Sequence, residues 1–313
     1  MSPVTVLGPE RPAPMLPEVL DLLGVRGSLA LITAGWRYDE DREEPLREAV
    51  RRPVRNLRLY HAFREVEREA PDLIAAYTRK QDALRSMKEK YRVAITHAHR
   101  ACCDLLHERR DADCPWFREA VDHLRRVDDV FLAEVDRLHH AFAAEAHPMR
   151  HRSVRAHVDA MRAALDDCEI VGIAGGHVGV LRNRLAFFGF DEWLRDRRIV
   201  AWSGGAMVLT DHVLLYHDHT HYGVGTAELL DRGLGLLPDV VFLPHCTTRL
   251  QLDEPENVTI LARRLAPRHA IGLVNGAVLA GVAPHPLCRP MSALLLGEDG
   301  AVRPLEEVHA RGA

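Results

Sequence analysis

The stretch Ile199-Val200-Ala201-Trp202-Ser203-Gly204-Gly205-Ala206-Met207 reads as a short apolar run that breaks into a serine and two glycines. A run of this kind predicts a buried strand, and the small residues after it predict a sharp turn into a helix. Such a turn lifts a serine hydroxyl off the end of a strand, while its small neighbours let other backbone pass close by. Ser203 is therefore a candidate nucleophile, although the first glycine of a GxSxG elbow is replaced here by Ala201. The bland alternative is a serine in a structural turn.

Similar runs recur on either side of it. Val4-Thr5-Val6-Leu7, residues 28–33, 169–174, 198–202, 213–216, 240–243 and 270–273 are all short and apolar, and residues 17–23 read as a short helix after the first of them. Continuous apolar runs separated by helical stretches predict an α/β fold, a mainly parallel sheet with helices on both faces. Residues 45–147 differ, being helical and highly charged. Phe117, Val121, Leu124, Phe131, Val135, Leu138 and Phe142 fall at alternating three- and four-residue steps interrupted by Asp128, with a similar stripe at Leu84, Met87, Tyr91, Ile95 and Cys102. That spacing predicts a coiled-coil-like helical hairpin, inserted in an α/β domain formed by residues 1–44 and 148–313. The insertion is an intrachain bundle, a lid over the site, or an arm for a homodimer.

Bulk composition narrows the classes. The 313 residues are 47% apolar, enough for a sizeable core, and the formal charge of −4 with interspersed signs argues against a nucleic-acid partner. No run approaches the roughly 20 apolar residues that cross a bilayer, and Met1-Ser2-Pro3-Val4 lacks signal-peptide features, so a cytoplasmic protein with no membrane association is expected. Six cysteines without a CxxC pair predict reduced thiols.

Two further motifs sit where strands are expected to end. Ile173-Ala174-Gly175-Gly176-His177-Val178-Gly179 places bare amides at a strand-to-helix turn, suited to a developing oxyanion together with the amide of Gly204; the alternative is a phosphate-type or merely tight turn. Val240-Val241-Phe242-Leu243-Pro244-His245 delivers a histidine at a strand end, where ligands gather in open α/β sheets, so His245 is the candidate base for Ser203. Cys246, its neighbour, points the other way in a strand and is discounted. Tyr216-His217-Asp218-His219-Thr220-His221-Tyr222 has three readings. As a continued strand it puts His217, His219 and His221 on one face, at a spacing that suits a transition metal. As a loop over the site it offers Asp218 as an orienting acid, and otherwise it is a solvated polar loop. His177, Trp202 and Arg249 are further candidate substrate contacts, Arg249 through a bidentate pair with an acidic group. Trp202 and Tyr222 read equally as core aromatics.

The order of these motifs, with Gly233-Leu234-Gly235-Leu236-Leu237-Pro238 and the late Gly272-Leu273-Val274-Asn275-Gly276-Ala277, resembles the peptidase S51 family. That family includes aspartyl dipeptidase and cyanophycinase, within the class I glutamine amidotransferase-like fold. The resemblance covers about residues 165–285 and not the helical insertion. It implies a serine peptidase or amidohydrolase without a cofactor, acting on small peptides or amides next to an acidic residue. By position, Ser203 matches the nucleophile, with Gly204 in place of the usual alanine, His245 the catalytic histidine, and Gly175-Gly176 the oxyanion segment. Asn275 stands where the family carries the triad acid; an amide orients an imidazole but does not stabilise its charged form by charge. A non-catalytic relative that binds a small acidic ligand or peptide is the alternative.

Overall fold

The computed structural model of the protein describes residues 4–10, 14–109, 112–216, 226–281, 283–284 and 291–306. Five short strands, β1 (Val4–Leu7), β2 (Leu29–Ile32), β3 (Val54–Asn56), β4 (Ile170–Ile173) and β5 (Ile199–Trp202), lie parallel in the order β1-β5-β4-β2-β3. Successive residues of their apolar runs serve opposite faces, as a pleated strand requires. Ala30 and Ile32 enter the core on one face, while Leu29 and Leu31 join Leu7, Val200 and Trp202 on the other. The first helix, α1 (Leu16–Leu22), covers that second face with Leu16, Val19 and Leu20, and α2 (Glu44–Val50) adds Val50. Each fully buried aliphatic side chain of this kind contributes about 1.5–3 kcal/mol.

The opposite face is covered by α3 (Leu59–Glu69) and by helices that follow the long insertion. The insertion itself is α4 (Pro71–Arg109) and α5 (Pro115–Ala146), 39 and 32 residues long. After it come α6 (Arg152–Asp166), α7 (Val178–Phe187), α8 (Phe190–Trp193) and the single turn α9 (Gly204–Met207) that leaves β5. The sheet extends beyond residue 44, because β3 pairs with β2 between Leu29↔Val54 and Leu31↔Asn56, and the long helical hairpin starts after α3.

The later strands depart from the sequence reading. They do not all join one sheet. β6 (His212–Leu215) forms a separate antiparallel ribbon with β7 (Glu228–Arg232). β8 (Val240–Pro244) and β9 (His269–Leu273) pair parallel in a second sheet, linked through α10 (Cys246–Arg249) and α11 (Pro255–Leu265). From β9 the chain turns at residues 274–277 into β10 (Val278–Ala280), which pairs antiparallel with β1 and carries β11 (Ala283–Pro284) at the edge of the first sheet. It then returns as β12 (Ala293–Leu296) and β13 (Val302–Pro304) to complete the four-stranded order β13-β12-β9-β8.

The apolar stripes of the hairpin are covered within the chain. Tyr91, Ile95, Cys102, Phe117, Leu124 and Val135 pack with Val241, Leu243 and Ala270 of the second sheet and with Val258 and Ile260 of α11. Tyr91 stacks on Phe131 with ring centroids 4.1 Å apart. Leu138 and Phe142, at the end of the expected stripe, are half-buried. Asp128, the apparent interruption, is buried. It receives the Arg264 guanidinium of α11 at 2.6 and 2.8 Å and the Tyr91 hydroxyl at 2.7 Å. No helix among the described residues is long and apolar enough to cross a membrane.

Candidate active site

Ser203 follows β5, the strand between β1 and β4, whose four residues are all buried. Its backbone has φ 51° and ψ −122°, a region that non-glycine residues avoid at a cost on the order of 1–3 kcal/mol. The strain is held from both sides. The Ser203 amide donates to the Leu7 carbonyl at 3.4 Å, and the Ser203 carbonyl accepts from Ala206 and Met207 at 3.0 and 3.3 Å, closing the α9 turn. Gly205 has no alternative, since a Cβ there would lie 2.1 Å from the Ile173 carbonyl oxygen. The result is a half-buried hydroxyl at the C-terminal ends of parallel strands, where open α/β sheets bind ligands.

His245 arrives from the second sheet. Buried β8 ends at Pro244, and His245 turns left-handed at φ 58° while its amide donates to the Leu273 carbonyl of β9 at 3.0 Å. That kink points its imidazole at the first sheet, with Nε2 3.5 Å from Ser203 Oγ. This is a long contact for proton transfer, of the kind that tightens when substrate fills a site. The two residues come from different sheets, 42 positions apart.

The Gly175-Gly176 turn after β4 faces the same hydroxyl. A Cβ on Gly175 would lie 2.8 Å from Ser203 Cβ, and one on Gly204 would lie 3.5 Å from the Gly176 amide nitrogen. Gly176, at φ 118°, also lies against the Gly35 carbonyl, so a side chain fits there neither in space nor in backbone angle. Among the described residues, the amide N–H groups of Gly176 and Gly204 enter no hydrogen bond. Two unused donors beside a serine hydroxyl can hold an oxyanion.

These residues floor a cleft of about 540 Å³ whose other walls the sequence reading missed: Pro9, Glu10, Trp36, Asp39 and Arg42. The signal was available, because the segment after β2 leaves the same C-terminal edge of the sheet as Ser203 and Gly175. Asp39 and Arg42 form an exposed pair at 3.0 Å. Burial pushes the Glu10 carboxyl above the ordinary range, opposed by the amides of Leu16 and Met15 that it accepts.

The remaining candidates stand as follows. His177 is exposed and caps α7, its Nδ1 accepting the Val180 amide at 3.2 Å. Trp202 borders the cleft but is 5% exposed, with its ring in the core beside Leu29 and Leu31. Arg249 lies outside the cleft, on a separate cavity with Gln251, Asn257 and Arg264. Asn275 is exposed in the β9–β10 turn and makes no hydrogen bond with His245. Cys246 is buried, and burial pushes its thiol up to about 11. His217, Asp218, His219, His221 and Tyr222 lie outside the described residues.

No protein-family model matches the sequence, and no curated protein matches it. Among solved structures, the crystal structure of a peptidase from an acI-B1 Actinobacterium is similar over 89% of this chain and 82% of that one, at 16% identity and a TM-score of 0.41.

Proposed function

We propose that the protein is a serine hydrolase of small peptides or amides, of the peptidase S51 type and with its class I glutamine amidotransferase-like fold. The observation that carries this is Ser203 Oγ, 3.5 Å from His245 Nε2, raised on a strained strand-to-helix turn that faces the free Gly176 and Gly204 amides. In the reaction Ser203 attacks the substrate carbonyl and its proton passes to His245. The tetrahedral oxyanion takes both amides, and His245 returns the proton to the leaving amine. Water, activated by the same imidazole, then releases the acyl group. The family resemblance supports this assignment of roles and, through it, cleavage next to an acidic residue. The cleft bears on that preference too: among its described lining residues the one arginine, Arg42, is already paired with Asp39, and Glu10 adds a second carboxylate.

A second reading, a repurposed relative that binds a peptide without cleaving it, is favoured by Asn275. It stands at the family's acid position and is exposed in its turn. A fluorophosphonate probe separates the two. Its phosphorus bonds to an activated serine oxygen, fluoride leaves and the proton goes to His245. Labelling of wild type at Ser203, absent in Ser203→Ala, is expected, with cleavage of members of a dipeptide and amide library by wild type alone. An unlabelled wild type with its fold intact by circular dichroism refutes the serine mechanism.

A further inference from the structure

One wall of the Ser203 cleft is the short turn that follows β2 and brings Trp36, Asp39 and Arg42 to the rim. It presses on the oxyanion segment. The Gly35 carbonyl accepts the His177 amide at 2.8 Å, and a Cβ on Gly176 would lie 2.6 Å from that carbonyl oxygen and 3.1 Å from Trp36 Cδ1. Wherever this turn sits, Gly175-Gly176 must follow. The turn is itself strained, because Arg37 has φ 63° and ψ −123°, and a backbone in that region persists only where its surroundings fix it.

Glu40 supplies the fixing. It is fully buried, at 0% exposure, and it faces away from the cleft into the start of α3. Its Oε1 accepts the Tyr60 amide at 3.0 Å and its Oε2 the His61 amide at 2.8 Å. Those donors belong to the first turn of α3, whose N-cap, Arg58, is left-handed and has no side-chain acceptor to offer. The cap therefore comes from the cleft wall, and the positive end of the helix compensates a buried carboxylate. The Glu40 backbone is held as well. Its carbonyl accepts Thr33 Oγ1 at 3.1 Å and Asn56 Nδ2 at 2.8 Å, and its amide donates to the Arg37 carbonyl at 3.0 Å.

We propose that Glu40 is a positioning residue for the hydrolysis, a carboxylate clamp that pins the cleft wall to α3 and so sets the Gly175-Gly176 turn at its distance from Ser203. This rests on the reading of Ser203 as nucleophile. The clamp works in the ionised form. Burial raises the Glu40 carboxyl above its ordinary value, against the two amides and His61, whose Nδ1 is 3.6 Å away, while the neighbouring Asp41, paired with Arg58 at 3.1 Å, raises it further. As pH falls through that raised value the carboxylate gains a proton and one amide loses its acceptor. Glu40→Gln makes the same change at every pH, because the carboxamide offers one acceptor oxygen and turns an NH2 toward the other donor.

The test is the rate of fluorophosphonate labelling at Ser203 in the whole chain, followed across pH for wild type and Glu40→Gln, beside thermal melting. At neutral pH the variant is expected to label about tenfold more slowly, as for a small misplacement of an oxyanion donor. The two rates are expected to converge in acid, where wild type is protonated too. A residue that merely stabilised the fold would lower the melting temperature of Glu40→Gln without slowing the labelling of the folded protein, and so would give no gap at neutral pH. Equal rates with the fold intact, or a gap constant across pH, overturn the proposal. Asn56→Ala cuts a different bond to the same turn and provides the same reading where Glu40→Gln does not fold; a wild-type rate in folded Asn56→Ala also overturns it. Failure of wild type itself to label overturns the serine reading, and this inference with it, and is distinct from equal labelling of both proteins.

Discussion

Gly175→Ala tests the geometry of the site with a single added methyl group. The Cβ would lie 2.8 Å from Ser203 Cβ, 3.1 Å from Ser203 Oγ and 3.0 Å from the Gly204 amide nitrogen. Carbon atoms in ordinary contact stay about 3.5–4.0 Å apart, so the new methyl is at least about 0.7 Å too close to Ser203. Neither side yields freely. Gly175 lies two residues past the end of β4, which is held between β2 and β5, and Ser203 is fixed by the Leu7 carbonyl and by Gly205 lying against Ile173. Gly175 has no positive φ, so alanine adds no backbone strain of its own and the effect is steric. A displacement near 1 Å costs a reaction about a hundredfold, or about 2.7 kcal/mol of barrier. Fluorophosphonate labelling of Ser203 is therefore expected to slow ten- to a hundredfold, with the melting transition still cooperative. A folded Gly175→Ala protein that labels within about twofold of wild type would show that Gly175 does not abut the reacting hydroxyl, and the oxyanion assignment would fall with it.

Asn275→Ala is expected to leave labelling and turnover within about twofold of wild type, since an exposed side chain with no hydrogen bond to His245 has little to lose; a tenfold loss in kcat would place the amide on the imidazole in the working enzyme. Asp128→Ala leaves the Arg264 guanidinium buried, its side chain 1% exposed, without its carboxylate. The expected cost is about 3–5 kcal/mol, or roughly 5–8 °C in Tm for a chain of this length, recovered largely in Asp128→Leu/Arg264→Met. A single variant that melts with wild type refutes the pairing. Lys80 sits against the Tyr77 and Phe142 rings with Nζ 3.3 Å from His139 Nδ1, and burial lowers its ammonium to about 8. The unfolded chain then holds more protons than the folded one between about pH 8 and 10.5. Wild type should gain stability across that window relative to Lys80→Met, by about 3 kcal/mol. Parallel denaturation midpoints for the two proteins against pH would contradict it.

What the sequence determined by itself was local. Val4–Leu7, Leu29–Ile32, Ile170–Ile173 and Ile199–Trp202 announce buried strands because a short apolar run between turn residues has few other uses, and the glycines after two of them announce turns because close backbone approach excludes a Cβ. The three- and four-residue spacing of Phe117, Val121, Leu124, Phe131 and Val135 announced a helix and the face it buries. Partner choice was not legible. Nothing in Val240–Pro244 or His269–Leu273 says that these strands leave the first sheet for a second, because strand propensity is silent on neighbours. Asp128 read as a break in a stripe because the cation that neutralises it, Arg264, lies 136 positions away. The cleft wall of Glu10, Trp36, Asp39 and Arg42 and the bonds from the Tyr60 and His61 amides to Glu40 are likewise consequences of packing. Spacing along the chain reports contacts within a turn of helix or a pleat of strand; the approach of His245 to Ser203 depends on where two sheets dock, and only the folded core decides that.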